Sequence, residues 1–147
     1  MLTEEVSEAV EFIRPAIETV YVKLINNVYA GESFGKDLIN TIEHAISVLK
    51  RLEVSLEVEA KRYRVKSAID RVVGELGITI RTPTTALEWM EHARVYVLDL
   101  EKFPSAYQSD PRDAVKNAYL DVKALIRIMV GMRGFVSFMI RRRIEEV

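Results

Sequence analysis

Apolar residues recur along most of this chain at alternating steps of three and four, the spacing of one helical face. Val6, Val10, Ile13, Ile17, Val20, Leu24 and Val28 form the first such seam. Thr3 is placed to cap this helix, with Glu4 and Glu5 in its first turn. Pro15 falls inside the seam without breaking its phase, which predicts a helix that continues to about Tyr29 and is kinked at the proline. Gly31, Ser33 and Gly35 then mark a loop. A second helix starts near Lys36, with Leu38, Ile42, Ala45, Leu49, Leu52, Leu56, Ala60 and Tyr63 on its apolar side. Val54, Val58, Val65, Ile69, Val72 and Leu76 make another stripe, rotated from that one. One long helix over 36–76 that changes its buried face explains both stripes; a break between Arg51 and Ala60 is the alternative. The alternation of apolar residues from Leu52 to Val58 also fits a strand, but no glycine or proline separates it from its flanks.

Gly77 has the position of a C-cap and Ile78-Thr79-Ile80 that of an extended connection. Thr82 followed by Pro83 predicts the next helix start, and Trp89, Ala93, Tyr96, Leu100 and Phe103 carry its stripe to about Lys102. Pro104, Ser105, Ser109, Asp110 and Pro111 bound a loop whose Tyr107 is placed to fold back on the core. Asp110 caps the last helix, Pro111 opens it, and Asp113 adds a negative charge near the positive end of its dipole. Val115, Ala118, Val122, Leu125, Met129, Met132, Val136 and Met139 follow at a period near 3.5. This is the most apolar stretch of the chain, but Arg127 and Arg133 interrupt it. Each would cost roughly 2.5–3.5 kcal/mol at the centre of a bilayer, so no membrane span is expected.

The opposite side of this helix changes the picture. Lys116, Lys123, Arg127, Gly131, Gly134, Ser137 and Arg141 project to one side, with Arg133 at its edge. From Pro111 to Ile144 there are eight Lys or Arg against two Asp. One reading is a cationic strip that meets a phosphate backbone through Lys116, Lys123, Arg127, Arg133, Arg141, Arg142 and Arg143. A second has Gly131, Gly134 and Ser137 admit another helix at close range. A solvated face, with the glycines fitted to a neighbouring helix of the same chain, is the ordinary alternative.

Composition narrows the field. A chain of 147 residues suits one domain, 1–147, with its own core. The net charge of −1 hides an asymmetry: residues 1–60 hold 11 acids and 5 bases, residues 61–147 hold 11 acids and 16 bases. Such halves neutralise each other within a bundle or stack head to tail between molecules. Without cysteine there is no disulfide, thiol catalysis or thiolate metal site. The acidic, amphipathic N-terminus does not read as a signal peptide, so a cytoplasmic location is expected. A single glutamine, no cysteine and many Val, Ile, Glu and Arg hint at a thermophile.

Lys61-Arg62-Tyr63-Arg64-Val65-Lys66 is the densest basic cluster, and cations around an aromatic suit nucleic acid. Glu57 and Glu59 stand at helical pairing distance from Lys61 and Arg62, which favours internal neutralisation. The two histidines sit in similar settings, Ile42-Glu43-His44-Ala45 and Met90-Glu91-His92-Ala93, as in a duplicated hairpin. The glutamate directly before each histidine points elsewhere, unlike the Glu-x-x-His of di-iron bundles, so no metal is expected. No glycine-rich phosphate loop or Gly-x-Ser-x-Gly elbow is present.

Met132-Arg133-Gly134-Phe135, followed by Met139, resembles the end of the small all-helical subunit of type III CRISPR effector complexes. Gly131 stands where that family has an aromatic and Gly134 where it has a second basic residue; the family's Asn-Gly-Leu segment is not visible. The resemblance implies a non-catalytic subunit that lines a nucleic-acid channel. Taken together, the expectation is an all-α fold, an elongated bundle of four main helices with the first kinked at Pro15 and two of them long. Its expected role is that of a non-enzymatic interaction subunit whose basic C-terminal helix contacts nucleic acid or an acidic partner. A protein-only scaffold or homo-oligomer is the alternative. Neither cofactor nor small-molecule substrate is expected.

Overall fold

A computed structural model describes residues 1–71 and 85–146. Among these the chain is all-α, with no strand and six helical segments in place of the expected four. They are α1 (Leu2–Ala30), α2 (Lys36–Arg62), α3 (66–71), α4 (Ala86–Glu101), α5 (Phe103–Ser109) and α6 (Pro111–Glu146). The expected C-cap at Gly77, the extended Ile78–Ile80 and the Thr82-Pro83 start lie outside the described residues.

The boundaries follow from local chemistry. α1 begins one residue before Thr3, so Thr3 is not its cap, and it runs through Pro15 as one helix. Pro15 is exposed, and water can satisfy the carbonyl that loses its donor. Gly31 ends α1 at φ +68°, a left-handed conformation that glycine adopts without a Cβ penalty. α2 stops where sequence alone does not mark it, beyond the stretch 51–60 and well short of residue 76. The Val65 N–H donates to the Ala60 carbonyl (2.9 Å) and the Arg64 N–H to that of Lys61 (3.1 Å). This is the bonding of a glycine-type C-cap, with Arg64 at φ +58° in the glycine position. Thr85 caps α4, its Oγ1 accepting from the Glu88 N–H at 3.1 Å. Asp110 caps α6 as expected, accepting from the Asp113 N–H at 3.2 Å. The expected loop before it is the short helix α5, and its Tyr107 does reach back to pack on Phe103 and Tyr63.

α1 lies against α2 and α4, both of these lie against α6, and α5 rests mainly on α6. The core between them takes Val6, Ile13 and Ile17 from α1, Ile42 and Leu49 from α2, Met90 and Leu100 from α4, and Leu125 and Met129 from α6. Val54 and Val58 are 62% and 61% exposed, so the second stripe on the α2 sequence is not one face. Of its described residues, Val65 and Ile69, beyond the break, turn inward, and Val72 and Leu76 lie outside the described residues. Ion pairs among the described residues tie helices together: Arg94–Glu18 at 2.7 Å, Arg14–Glu101 at 3.2 Å, Lys123–Glu53 at 3.2 Å and Lys66–Glu57 at 3.7 Å. Among the described residues no helix is long and apolar enough to cross a membrane.

Candidate basic face on the last helix

The residues proposed for phosphate contact divide into two groups along α6. Lys123, in the first half, is already engaged. Its Nζ donates to Glu53 Oε2 of α2 at 3.2 Å and lies 4.9 Å from the centre of the Tyr119 ring. Partial burial pulls its pKa down, but the hydrogen bond and charge of Glu53 outweigh that and hold it above the ordinary lysine value. Lys116 is half-buried beside Val65, Ala68, Asp110 and Arg112 in a groove of about 260 Å³. The first two cations of the expected strip therefore serve the contact of α6 with the α2–α3 side, because their long stems cover apolar surface there.

From Arg127 onward one side of the helix stands clear, while Met129, Met132 and Val136 on the other side stay in the core. Arg127, Val130, Gly131, Gly134, Phe138 and Arg141 are all exposed and share one side of α6. Arg127, Arg141 and Arg143 make no ion pair with another described residue. Arg142 and Arg143 are exposed and line, with Asn27, Ser33, Phe34, Met139 and Ile140, a groove of about 280 Å³ beside the α1–α2 loop. Arg133 and Ser137 are half-buried: a helical projection turns Arg133 about 120° from Arg127, and puts Ser137 one turn before Arg141 at the edge of the exposed side. They do not extend the strip.

The two glycines differ. A Cβ on Gly131 would lie 3.4 Å from Cζ3 of Trp89 in α4, so the close approach it permits is partly used within the chain. A Cβ on Gly134 would meet nothing within 4 Å. Phe138, one turn beyond Gly134, is 57% exposed. Phe135 turns the other way and packs edge-on against Phe34, ring centres 6.2 Å apart.

Other sequence candidates resolve into structure. Lys61 pairs with Glu57 at 3.6 Å, Arg62 with Glu59 at 3.6 Å, and Lys66 with Asp70 at 3.2 Å. The Tyr63 hydroxyl meets that of Tyr107 at 3.1 Å. The dense basic cluster is thus largely neutralised by the helix that carries it. His44 and His92 are exposed, on α2 and α4, two helices that do not pack together. No group of three or more His, Cys, Asp or Glu able to hold a metal occurs among the described residues. A groove of about 560 Å³ between α1 and α2 is lined by Glu5, Glu8, Phe12, His44 and Arg51.

One group escaped sequence reasoning. Asp121 is 7% exposed, and its Oδ2 has no donor among the described residues. Burial, then the hydrogen bond and charge of Asp99 across the α4–α6 contact, push its carboxyl up to about 9. At neutral pH it is a neutral acid donating to Asp99. A lone Asp between two apolar residues of a seam (Leu120 and Val122) was the available signal.

No family model, no curated protein and no solved structure matches the chain.

Proposed function

We propose that the protein is a non-enzymatic interaction subunit that contacts nucleic acid through the exposed side of the C-terminal half of α6. The observation that carries this is the side of α6 where Arg127 and Arg141, exposed and without an ion pair to another described residue, flank exposed Phe138. The two arginines are 14 residues apart, about 21 Å along a helix. Phosphates recur about every 3.4 Å of axis along one strand, so arginines at that separation suit phosphates several nucleotides apart, and an aromatic between them offers a face for a base. Of the proposed contacts Arg127, Arg141, Arg142 and Arg143 remain in this reading; Lys116, Lys123 and Arg133 leave it. α1, α2, α4 and α6 would act as one elongated four-helix bundle, bent at Pro15, that holds the basic end rigid. A small subunit of a type III CRISPR effector complex is the narrower form of the same reading; Met132, which carries part of that likeness, is buried in the core here.

The test is fluorescence anisotropy with short single- and double-stranded RNA and DNA at about 50 and 200 mM salt. The wild-type protein should bind with strong salt dependence. Arg127→Glu/Arg141→Glu/Arg142→Glu should weaken binding at least about tenfold and flatten the salt slope, while Lys116→Glu should change little. Binding unaffected by the triple substitution, or absent at low salt, overturns the proposal.

A second reading has one observation of its own. Val130 and Phe138 are exposed around an open Gly134, a surface into which another protein's helix could pack. Affinity for a protein in place of nucleic acid, lost on Gly134→Leu, is the result that would select it.

A further inference from the structure

Among the described residues α4 carries a second unpartnered face, separate from that of α6. Val95 and Leu98 are 63% and 55% exposed, three residues apart on the outer side of the helix. Glu91, four residues before Val95, and Lys102, four after Leu98, continue the same stripe and are also exposed. Steps of four, three and four keep all four within about 60° of one another on a helical projection. The stripe thus reads acid, aliphatic, aliphatic, base. Turned end for end, it meets itself with opposite charges at both ends.

We infer that this face binds a second copy of the chain, α4 against α4, antiparallel about a two-fold axis between Tyr96 and Val97. Such an isologous contact places each residue against its mirror position on the other molecule. Val95 then faces Leu98 of the second copy, and Glu91 faces its Lys102, each contact occurring twice.

The flanks agree with this register. In an antiparallel pair, each flank of one helix meets the same flank of the other. Arg94 and Glu101 occupy one flank of the stripe, His92 and Asp99 the other. Arg94 therefore comes beside Glu101 of the second copy, and His92 beside its Asp99. Arg94 is held in place by Glu18 at 2.7 Å and by the Tyr21 ring at 4.4 Å, and Glu101 by Arg14 at 3.2 Å. These bonds order the two flanking charges without using all their hydrogen-bonding capacity. Neither Glu91 nor Lys102 has an ion pair among the described residues, so their pairing breaks nothing within the chain. A shallow groove of about 400 Å³ between α1 and α4, lined by Ile17, Val95 and Leu98, lies beside the ridge.

The experiment is sedimentation velocity across a concentration series with single and exchanged charges. The wild-type protein should dimerise. Glu91→Lys and Lys102→Glu should each weaken dimerisation about tenfold or more, because each turns two attractions into two repulsions. An equimolar mixture of the two variants should restore the dimer, as should the double exchange in one chain; restoration also shows that each variant is folded. The Arg127/Arg141/Arg142 triple variant should remain dimeric, which separates this surface from the basic end of α6. A wild-type monomer at all concentrations, or a dimer indifferent to both single substitutions, overturns the inference.

Discussion

Asp121 and Lys123 leave α6 two residues apart and meet opposite circumstances. Lys123 turns toward α2, where Glu53 accepts its hydrogen bond and Tyr119 lies beneath it. Asp121 faces Asp99 of α4, and the influences on its carboxyl are burial and that second acid. The α2 side of α6 is therefore matched in charge, and the α4 side sets a buried acid against another acid. A seam of uniform apolar spacing conceals this difference, because both residues occupy ordinary places beside it. It shows that one helix can be welded to one neighbour and only conditionally joined to another.

The largest effect should come from relieving the unmatched side. Asp121 in the folded protein titrates near 9, well above the ordinary carboxylate range that it regains on unfolding. Below about pH 4 it is protonated in both states and costs nothing. Between about 4 and 9 the unfolded chain releases this proton while the folded chain keeps it, so stability falls as pH rises. Each pH unit in that window removes up to about 1.4 kcal/mol. Asp121→Asn keeps a donor to Asp99 and cannot ionise. It should raise the unfolding midpoint in urea by an amount that grows from pH 5 to pH 9. An equal shift at both ends of that range would mean that the acid pair is not the cause.

The glycines sharpen the same contrast on a smaller scale. Replacing a mid-helix glycine by alanine gains about 1 kcal/mol when nothing obstructs the new methyl group. Gly134→Ala meets open space and should gain that amount. Gly131→Ala brings a carbon 3.4 Å from the Trp89 ring on the α4 side, and should gain less, because the methyl group sits at the near limit of van der Waals contact and leaves the indole no slack. Thermal unfolding of the two variants, with indole fluorescence as a second readout, checks the order. Gly131→Ala stabilising as much as Gly134→Ala would show that Trp89 does not press on α6.

Much of this architecture was legible. The seams of α1 and α6 hold over most of their length because burial on one face leaves a period: Val6 through Leu24 and Val115 through Val136 are buried as their spacing requires, while the end members Val28, 59% exposed, and Met139, half-buried, run out of the core. The Asp110 cap was legible because a short acceptor before proline has few other uses. The end of α2 was not, because the left-handed position that glycine usually marks is filled by Arg64. α5 was hidden by its composition, since proline and serine read as loop although Pro104 falls in the first turn, where its missing N–H costs least. For the basic strip, sequence placed cations along α6 but could not show which had acids opposite them. Glu53 lies 70 residues from Lys123, and only the packing of α2 on α6 brings them together.

The smallest expected effect tests the matched side of the comparison. Lys123 and Glu53 are each about 30% exposed, at 30% and 28%, so water screens their attraction incompletely. Lys123→Met keeps the stem over Tyr119 and removes only the charge. Its cost should be about 1 kcal/mol or less, the range of partly exposed pairs. That cost should shrink in about 1 M salt, where the screening length falls to roughly 3 Å. Glu53→Gln/Lys123→Met should be less destabilised than the sum of the single variants, because each single substitution leaves one charge without its partner. If Lys123→Met proved neutral at low salt, the two sides of α6 would differ only in the burden carried by Asp121, and the α2 contact would rest on apolar packing alone.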